Sequence, residues 1–132
     1  MSSALLLIAH GSRRPSANAD LVILADALRG KCIADIVEVA YLELAEPSIP
    51  EGGAKCVAAG ADHVRMFPYF LSAGQHVAAD LEEFREQLAT THPGTRFELC
   101  PHLGLHPLMV DIVLDRLQGA RASLGDARPA AE

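Results

Sequence analysis

Residues 4–9, Ala4-Leu-Leu-Leu-Ile-Ala9, are apolar without interruption, and the run stops at His10-Gly11-Ser12. A stretch so short and free of polar alternation reads as a strand buried on both faces, which requires a parallel sheet covered by helices on either side. The turn that ends it sets His10 at the strand's carboxyl end. The remainder of the chain supplies what such a sheet needs. Residues 16–31 carry Leu21, Leu24, Ala25 and Leu28 at helical spacing, with Ser16 as a candidate cap and Gly30 near the close. Residues 36–44 read as a second strand ending near Glu43, and Pro47 and Pro50 mark the start of a second helix running toward Gly60.

A short third strand is expected over residues 63–67, ahead of Pro68 and a loop of residues 69–75. From His76 to Thr90 the spacing of Val77, Leu81, Phe84 and Leu88 predicts an amphipathic helix whose acids, Asp80, Glu82, Glu83 and Glu86, form a solvated face. Residues 96–100 give a fourth strand, residues 101–106 a loop and residues 107–117 a last helix with Pro107 in its first turn. Four strand and helix alternations imply an α/β fold: a single three-layer domain with a four-stranded parallel sheet flanked by helices. That domain spans residues 1–118. Residues 119–132, rich in Ala and Arg, read as a flexible tail.

Composition excludes several classes of partner. With 17 acidic against 11 basic residues the formal charge is −6, so no basic face exists for nucleic acid. Cys32, Cys56 and Cys100 are odd in number and lack paired spacing, which suggests neither a disulfide framework nor a thiolate zinc site and fits a reducing cytoplasm. The first apolar run is too short for a membrane span and lacks the flanks of an export signal.

In open parallel sheets, ligands bind at the carboxyl ends of the strands. The loops that begin at His10, Glu43, Pro68 and Pro101 therefore line one edge, where Gly11, Gly74 and Gly104 let backbone approach a ligand. Taken singly, a histidine at a strand end is most often a hydrogen-bonded structural residue. The trio His10, Glu43 and His76 at three strand ends instead forms an open metal site of borderline ligands, suited to cobalt, nickel, iron or zinc. His102 and His106 offer a wall, a proton carrier or a fourth ligand. His63 and His92 lie away from that edge and read as ordinary histidines. Cys100 reads as a small buried apolar group.

Four blocks carry a family likeness: Ala9-His-Gly-Ser-Arg13, Tyr41-Leu-Glu-Leu-Ala-Glu-Pro-Ser-Ile49, Pro68-Tyr-Phe-Leu-Ser-Ala-Gly-Gln-His76 and Pro101-His-Leu-Gly-Leu-His-Pro107. Together, from about residue 5 to 117, the chain resembles the short-form sirohydrochlorin chelatases of the CbiX and SirB type. The resemblance implies a chelatase-like, flavodoxin-like half domain. It implies a lyase that inserts a divalent metal, with cobalt favoured over iron or nickel, into the octacarboxylate sirohydrochlorin for cobalamin or sirohaem synthesis. The metal is a substrate, and no prosthetic group is expected. On the same likeness His10 and His76 match the family's metal-binding histidines and Glu43 its nearby carboxylate. Longer members repeat the module in tandem, so one copy implies a homodimer with facing strand-end edges. The histidine-rich stretch of some relatives is missing here.

For such a substrate, Ser12, Arg13 and Arg14 beyond His10 would receive carboxylates, with Ser72, Ala73 and Gly74 adding donors. Tyr69, Phe70 and Leu71 would stack on the macrocycle, although for the aromatics at these positions plain core packing is the favoured reading. Two other readings use the same residues. A non-catalytic carrier of metal or tetrapyrrole would differ only in turnover. A histidine-phosphatase-like hydrolase is suggested by His10-Gly11, but Ala9 stands where that motif needs Arg.

Overall fold

In the computed structural model, which describes residues 2–126, the uninterrupted apolar run forms the central strand of the sheet. The elements run β1 (Ser3–Ala9), α1 (Pro15–Arg29), β2 (Ile36–Tyr41), α2 (Ile49–Ala58), β3 (His63–Pro68), α3 (Gln75–Thr91), β4 (Arg96–Leu99) and α4 (Leu108–Asp126). All strand pairs are parallel, in the order β2-β1-β3-β4. The fold is the expected single α/β domain with a four-stranded parallel sheet.

Because successive side chains of a strand point to opposite faces, β1 feeds two cores. Ala4, Leu6 and Ile8 join Val64, Met66, Phe97, Leu81 and Leu88 beneath α2 and α3. Leu5 and Leu7 join Leu21, Ala25, Val37 and Tyr41 beneath α1. Helix α2 can press closely on its neighbours because Gly52 and Gly53 carry no side chain: a Cβ on Gly53 would come within 2.6 Å of Leu88 Cδ2.

Two boundaries differ by more than two residues from the sequence reading. Strand β2 ends at Tyr41 rather than residue 44, because Leu44 takes a left-handed conformation (φ 66°) that no strand accommodates. Pairing with the chain beyond β1 nevertheless continues, as the Leu42 and Glu43 N–H groups donate to the Ala9 and His10 carbonyls at 2.9 and 3.0 Å. Helix α2 starts on a capping box in which Ser48 and Glu51 satisfy each other's backbone N–H groups.

Helix α4 continues past Gly119 to Asp126, where the sequence reading begins the tail; the tail's residues 127–132 lie outside the described residues. Among the described residues, neither core includes any residue of α4. Among the described residues, the sheet's α1 face is covered by one helix, not two. Among the described residues, no helix is long and apolar enough to cross a membrane.

Candidate functional site

From β1 the chain passes to β2 on one side and then to β3 on the other, so the segments following β1 and β3 part at the carboxyl edge of the sheet. A reversal of this kind opens a crevice between the two departing connections. His10 is the first residue after β1, and residues 69–74 follow β3. The Tyr69 N–H donates to the Ile8 carbonyl at 2.7 Å, fastening the second segment beside the first.

Across the neighbouring strand ends, His10 Nε2 lies 3.2 Å from Glu43 Oε2, and both side chains are more than half exposed (56% and 58%). A carboxylate only accepts hydrogen bonds, so Nε2 carries the proton and a neutral His10 keeps its Nδ1 lone pair for a ligand. Gly11 makes the approach possible. Its φ is +100°, and a Cβ there would sit 1.7 Å from the Glu43 carbonyl oxygen. His10 also meets the Phe70 ring in a T-shaped contact, with centroids 6.1 Å apart and planes at 65°.

The loop after His10 is clamped by Asn18 from the first turns of α1. Asn18 Oδ1 accepts from the Ser12 N–H at 3.0 Å, and Nδ2 donates to the Ser12 carbonyl at 2.8 Å. The Tyr41 hydroxyl in turn donates to the Asn18 carbonyl at 2.7 Å. Ser12 Oγ accepts from the Arg14 N–H at 3.1 Å, which engages that hydroxyl within its own loop. Arg13 and Arg14 are exposed beside it.

His76 is the second residue of α3 and is exposed at the same edge. Among the described residues, no group of three His, Cys, Asp or Glu side chains stands close enough to hold an ion. The structure therefore brings His10 and Glu43 together and leaves His76 on the adjoining helix. The physical reason lies in what holds each group: Phe70 and Glu43 fix the His10 ring, whereas His76 extends from an exposed first turn.

Phe70 is buried in the core beneath α3, so its face is not open to a macrocycle. Tyr69, Leu71, Ser72 and Gly74 are exposed, and Ala73 packs against the core. His106 Nδ1 accepts the Leu108 N–H at 3.1 Å and so caps the start of α4. His102 is exposed beside Gly104. Away from the edge, His63 Nε2 bonds Glu98 Oε1 at 2.8 Å, and that bond, with Arg96, holds the Glu98 carboxyl below its ordinary range. Burial, with a smaller contribution from Glu98, raises the pKa of the Cys100 thiol above its ordinary value.

The helix starts at the crevice also differ in how they are satisfied. Helix α2 closes its own amino end with Ser48 and Glu51, whereas α1 and α3 have no side-chain cap and no acid in the first turn. The free first-turn N–H groups of α3, the Ser16 N–H of α1, where Pro15 has none and Ala17 and Asn18 donate to the Arg14 carbonyl, and the partial positive charge of both starts can receive anions next to His76 and His10. Sequence reading missed Asn18, the Phe70 contact with His10 and the capping box. Only the last carries a local signal, the Ser48-x-x-Glu51 spacing.

An imidazole and a carboxylate thus meet beside the switch point of a parallel α/β sheet, next to two helix starts without side-chain caps. The CbiX family model matches residues 4–120, and the chain belongs to that family. It is 35% identical over 127 residues to the chloroplastic sirohydrochlorin ferrochelatase of Arabidopsis thaliana, covering 96% of this chain and 56% of the relative. Identity to the sirohydrochlorin cobaltochelatase of Priestia megaterium is 32% over 116 residues, covering 88% of this chain and 38% of the relative. The crystal structure of the sirohydrochlorin chelatase SirB from Bacillus subtilis subspecies spizizenii in complex with cobalt matches with a TM-score of 0.82 at 29% identity, covering 89% of this chain and 50% of that one. The chain spans about half the length of the curated relatives it matches.

Proposed function

We propose that this chain inserts a divalent metal ion into sirohydrochlorin, releasing the two pyrrole protons that the ion replaces. The observation that carries this reading is the His10–Glu43 pair at 3.2 Å, set beside the switch point of a CbiX-family sheet. Neutral His10 and Glu43 replace water around the incoming ion, held weakly enough that four macrocycle nitrogens outcompete them. His76, on the helix beside the crevice, completes the ligand set when substrate closes the site; once the ion has passed to the macrocycle nitrogens, its freed lone pair accepts one pyrrole proton and Glu43 passes the other to solvent. Arg13, Arg14, the Ser16 N–H and the free first-turn N–H groups of α3 take the substrate's carboxylates, while Tyr69 and Leu71 supply apolar surface to the macrocycle.

Cobalt is the favoured ion in this reading. It is supported by the relative named a cobaltochelatase and the cobalt-bound neighbour, with iron, supported by the relative named a ferrochelatase, as its competitor. The site works in a cytoplasmic homodimer whose strand-end edges face each other across the substrate.

The test is the rate of metal uptake by sirohydrochlorin, followed by its absorbance change, with and without the purified chain. Acceleration over the spontaneous rate is expected with cobalt or iron, together with near-complete loss in His10→Ala and in His76→Ala and unchanged far-ultraviolet circular dichroism. Equal rates with and without protein reject catalysis, and tight binding of the tetrapyrrole without turnover would indicate a carrier instead.

A further inference from the structure

Leu44 follows Glu43 directly and holds a backbone conformation that a leucine adopts only at a cost. Its φ is 66°, in the left-handed region where glycine, asparagine and aspartate sit with little strain and a larger residue crowds its Cβ against the following carbonyl. The loop around it is fixed at both ends. The Glu43 N–H donates to the His10 carbonyl at 3.0 Å, and the Tyr41 N–H donates to the Pro47 carbonyl at 2.9 Å. Between those ties Leu42 packs against the core beneath α2 and α3, and Ala45 against the core beneath α1. Leu44 joins neither core and is 53% exposed.

The backbone alone does not explain this residue. A left-handed turn is made at lower cost by glycine or asparagine, so what the position gains from leucine is the side chain. Core packing does not use that side chain, and what it adjoins is the ion-holding pair: Glu43 precedes it in the chain, and His10 follows the neighbouring strand β1. On the opposite side of His10 the connection after β3 carries Tyr69 and Leu71, both exposed. With β1 between β2 and β3, the two connections start roughly 10 Å apart, two strand spacings. Apolar side chains therefore stand on both sides of a polar pair. A hydrated ion has no use for them, whereas a flat ligand with nitrogens at its centre and hydrocarbon around them does.

We propose that Leu44 is a substrate-contacting residue that lies against one side of the sirohydrochlorin macrocycle while Leu71 lies against the other, centring the pyrrole nitrogens on His10 and Glu43. The proposal rests on the metal-insertion reading and adds to it the group that holds the carbon framework of the substrate rather than its carboxylates. Arg13 and Arg14 attract any polyanion. An apolar contact on the side of His10 away from Tyr69 and Leu71 selects, among polyanions, one with a broad apolar body. The left-handed turn is what keeps the Leu44 side chain at the edge while its neighbours Leu42 and Ala45 pack inward.

Equilibrium binding of metal-free sirohydrochlorin, followed by its absorbance, tests this in Leu44→Asn and Leu44→Met, alongside thermal unfolding, sedimentation and the insertion rate. Asparagine accepts the left-handed backbone but lacks the apolar surface, so its thermal midpoint should stay within about 4 °C of the parent while Kd rises about tenfold. Methionine keeps the apolar surface and should hold Kd within about threefold of the parent. The gap between parent and Leu44→Asn should persist from about 0.1 M to 1 M salt, because an apolar contact is not screened as an arginine is. A parent-like Kd in Leu44→Asn, a gap that closes with salt, or a dimer that dissociates in Leu44→Asn with Kd unchanged overturns the proposal, and a parent chain that still inserts metal then leaves the insertion reading intact. A parent that binds the tetrapyrrole with this Leu44 dependence but inserts no metal does the reverse. A parent that binds none overturns both.

Discussion

Nε2 of His10 and Oε2 of Glu43 stand 3.2 Å apart across the ends of the paired strands β1 and β2. Both groups are open to solvent, where such a pair contributes at most about 1 kcal/mol to stability. Their cost and their use can therefore be separated. His10→Ala and Glu43→Gln should each leave the unfolding free energy within about 1 kcal/mol of the parent. Metal insertion should fall by about tenfold to a hundredfold or more, the range that loss of a metal-site partner produces. Thermal unfolding and initial insertion rates measured on the same samples check this, and an unchanged rate in Glu43→Gln removes the carboxylate from the reaction.

The pair depends on Gly11 as much as on its own side chains. Alanine at that position would need a left-handed backbone and would drive its Cβ into the Glu43 carbonyl, which is backbone and cannot step aside. Gly11→Ala is expected to destabilise the fold by about 1–3 kcal/mol and to abolish insertion by parting the two strand ends. Gly60 serves as the control, because its φ is also positive (+105°) but a Cβ there meets nothing within 4 Å. Gly60→Ala should cost stability through strain alone and leave the insertion rate unchanged.

Asn18 holds the His10 loop from a distance. Removing its side chain leaves the Ser12 N–H and carbonyl without their partners, at a cost of about 1–3 kcal/mol. In Asn18→Ala the KM for the tetrapyrrole should rise, since Arg13 and Arg14 ride on the released segment. Asn18→Asp keeps the acceptor for the Ser12 N–H and loses the donor to its carbonyl. It should fall between the two in both thermal midpoint and KM, and a wild-type KM in both variants would confine Asn18 to a stabilising role.

Legibility followed the range of the forces involved. The β1 core and the strand-helix order were readable because burial on two faces leaves an unbroken apolar run, and because α1 and α3 repeat their apolar side chains at a helical period. The convergence of His10 and Glu43 was readable as far as topology brings strand ends together. What escaped depends on tertiary contact. Nothing local announces that Asn18 will clamp Ser12 or that Phe70 will meet the His10 ring. Leu44 ended β2 early through a backbone conformation that its residue type disfavours. The apolar spacing of α4 predicted a helix but gave no sign that it would stand outside both cores.

Cys56 gives the fold an alkaline limit. Burial, with a smaller contribution from Glu38, pushes its thiol from an ordinary 9.0 up to about 12. Below pH 9 folded and unfolded chains are both protonated there, and no dependence arises. Above it the unfolded thiol ionises while the folded one keeps its proton, so stability falls as pH rises from about 9 toward 12. Burial raises the Tyr41 hydroxyl as well, and its effect has the same sign. Urea unfolding between pH 8 and 10.5, values chosen to span the ordinary thiol and phenol range of roughly 8.5 to 10, should show this slope, reduced but not abolished in Cys56→Ala. Alkylation in the native state should reach exposed Cys32 and spare Cys56.

Arg13 and Arg14 bear on how a chain of charge −6 receives a polyanion. Repulsion from the whole molecule is screened over about 8 Å at physiological salt, so a local basic pair beside an uncapped helix start can dominate at contact. The Arg14 side chain makes no capping bond to α1, so its removal should leave that helix intact. Replacing both arginines with alanine should raise KM for sirohydrochlorin by about tenfold with kcat nearly unchanged, the pattern of lost ground-state binding. Raising the salt concentration should narrow the gap between variant and parent, because the parent alone has the attraction to lose. If the KM values coincide at low salt, the pair belongs to the solvent, and substrate carboxylates must be held by the α1 and α3 amide groups alone.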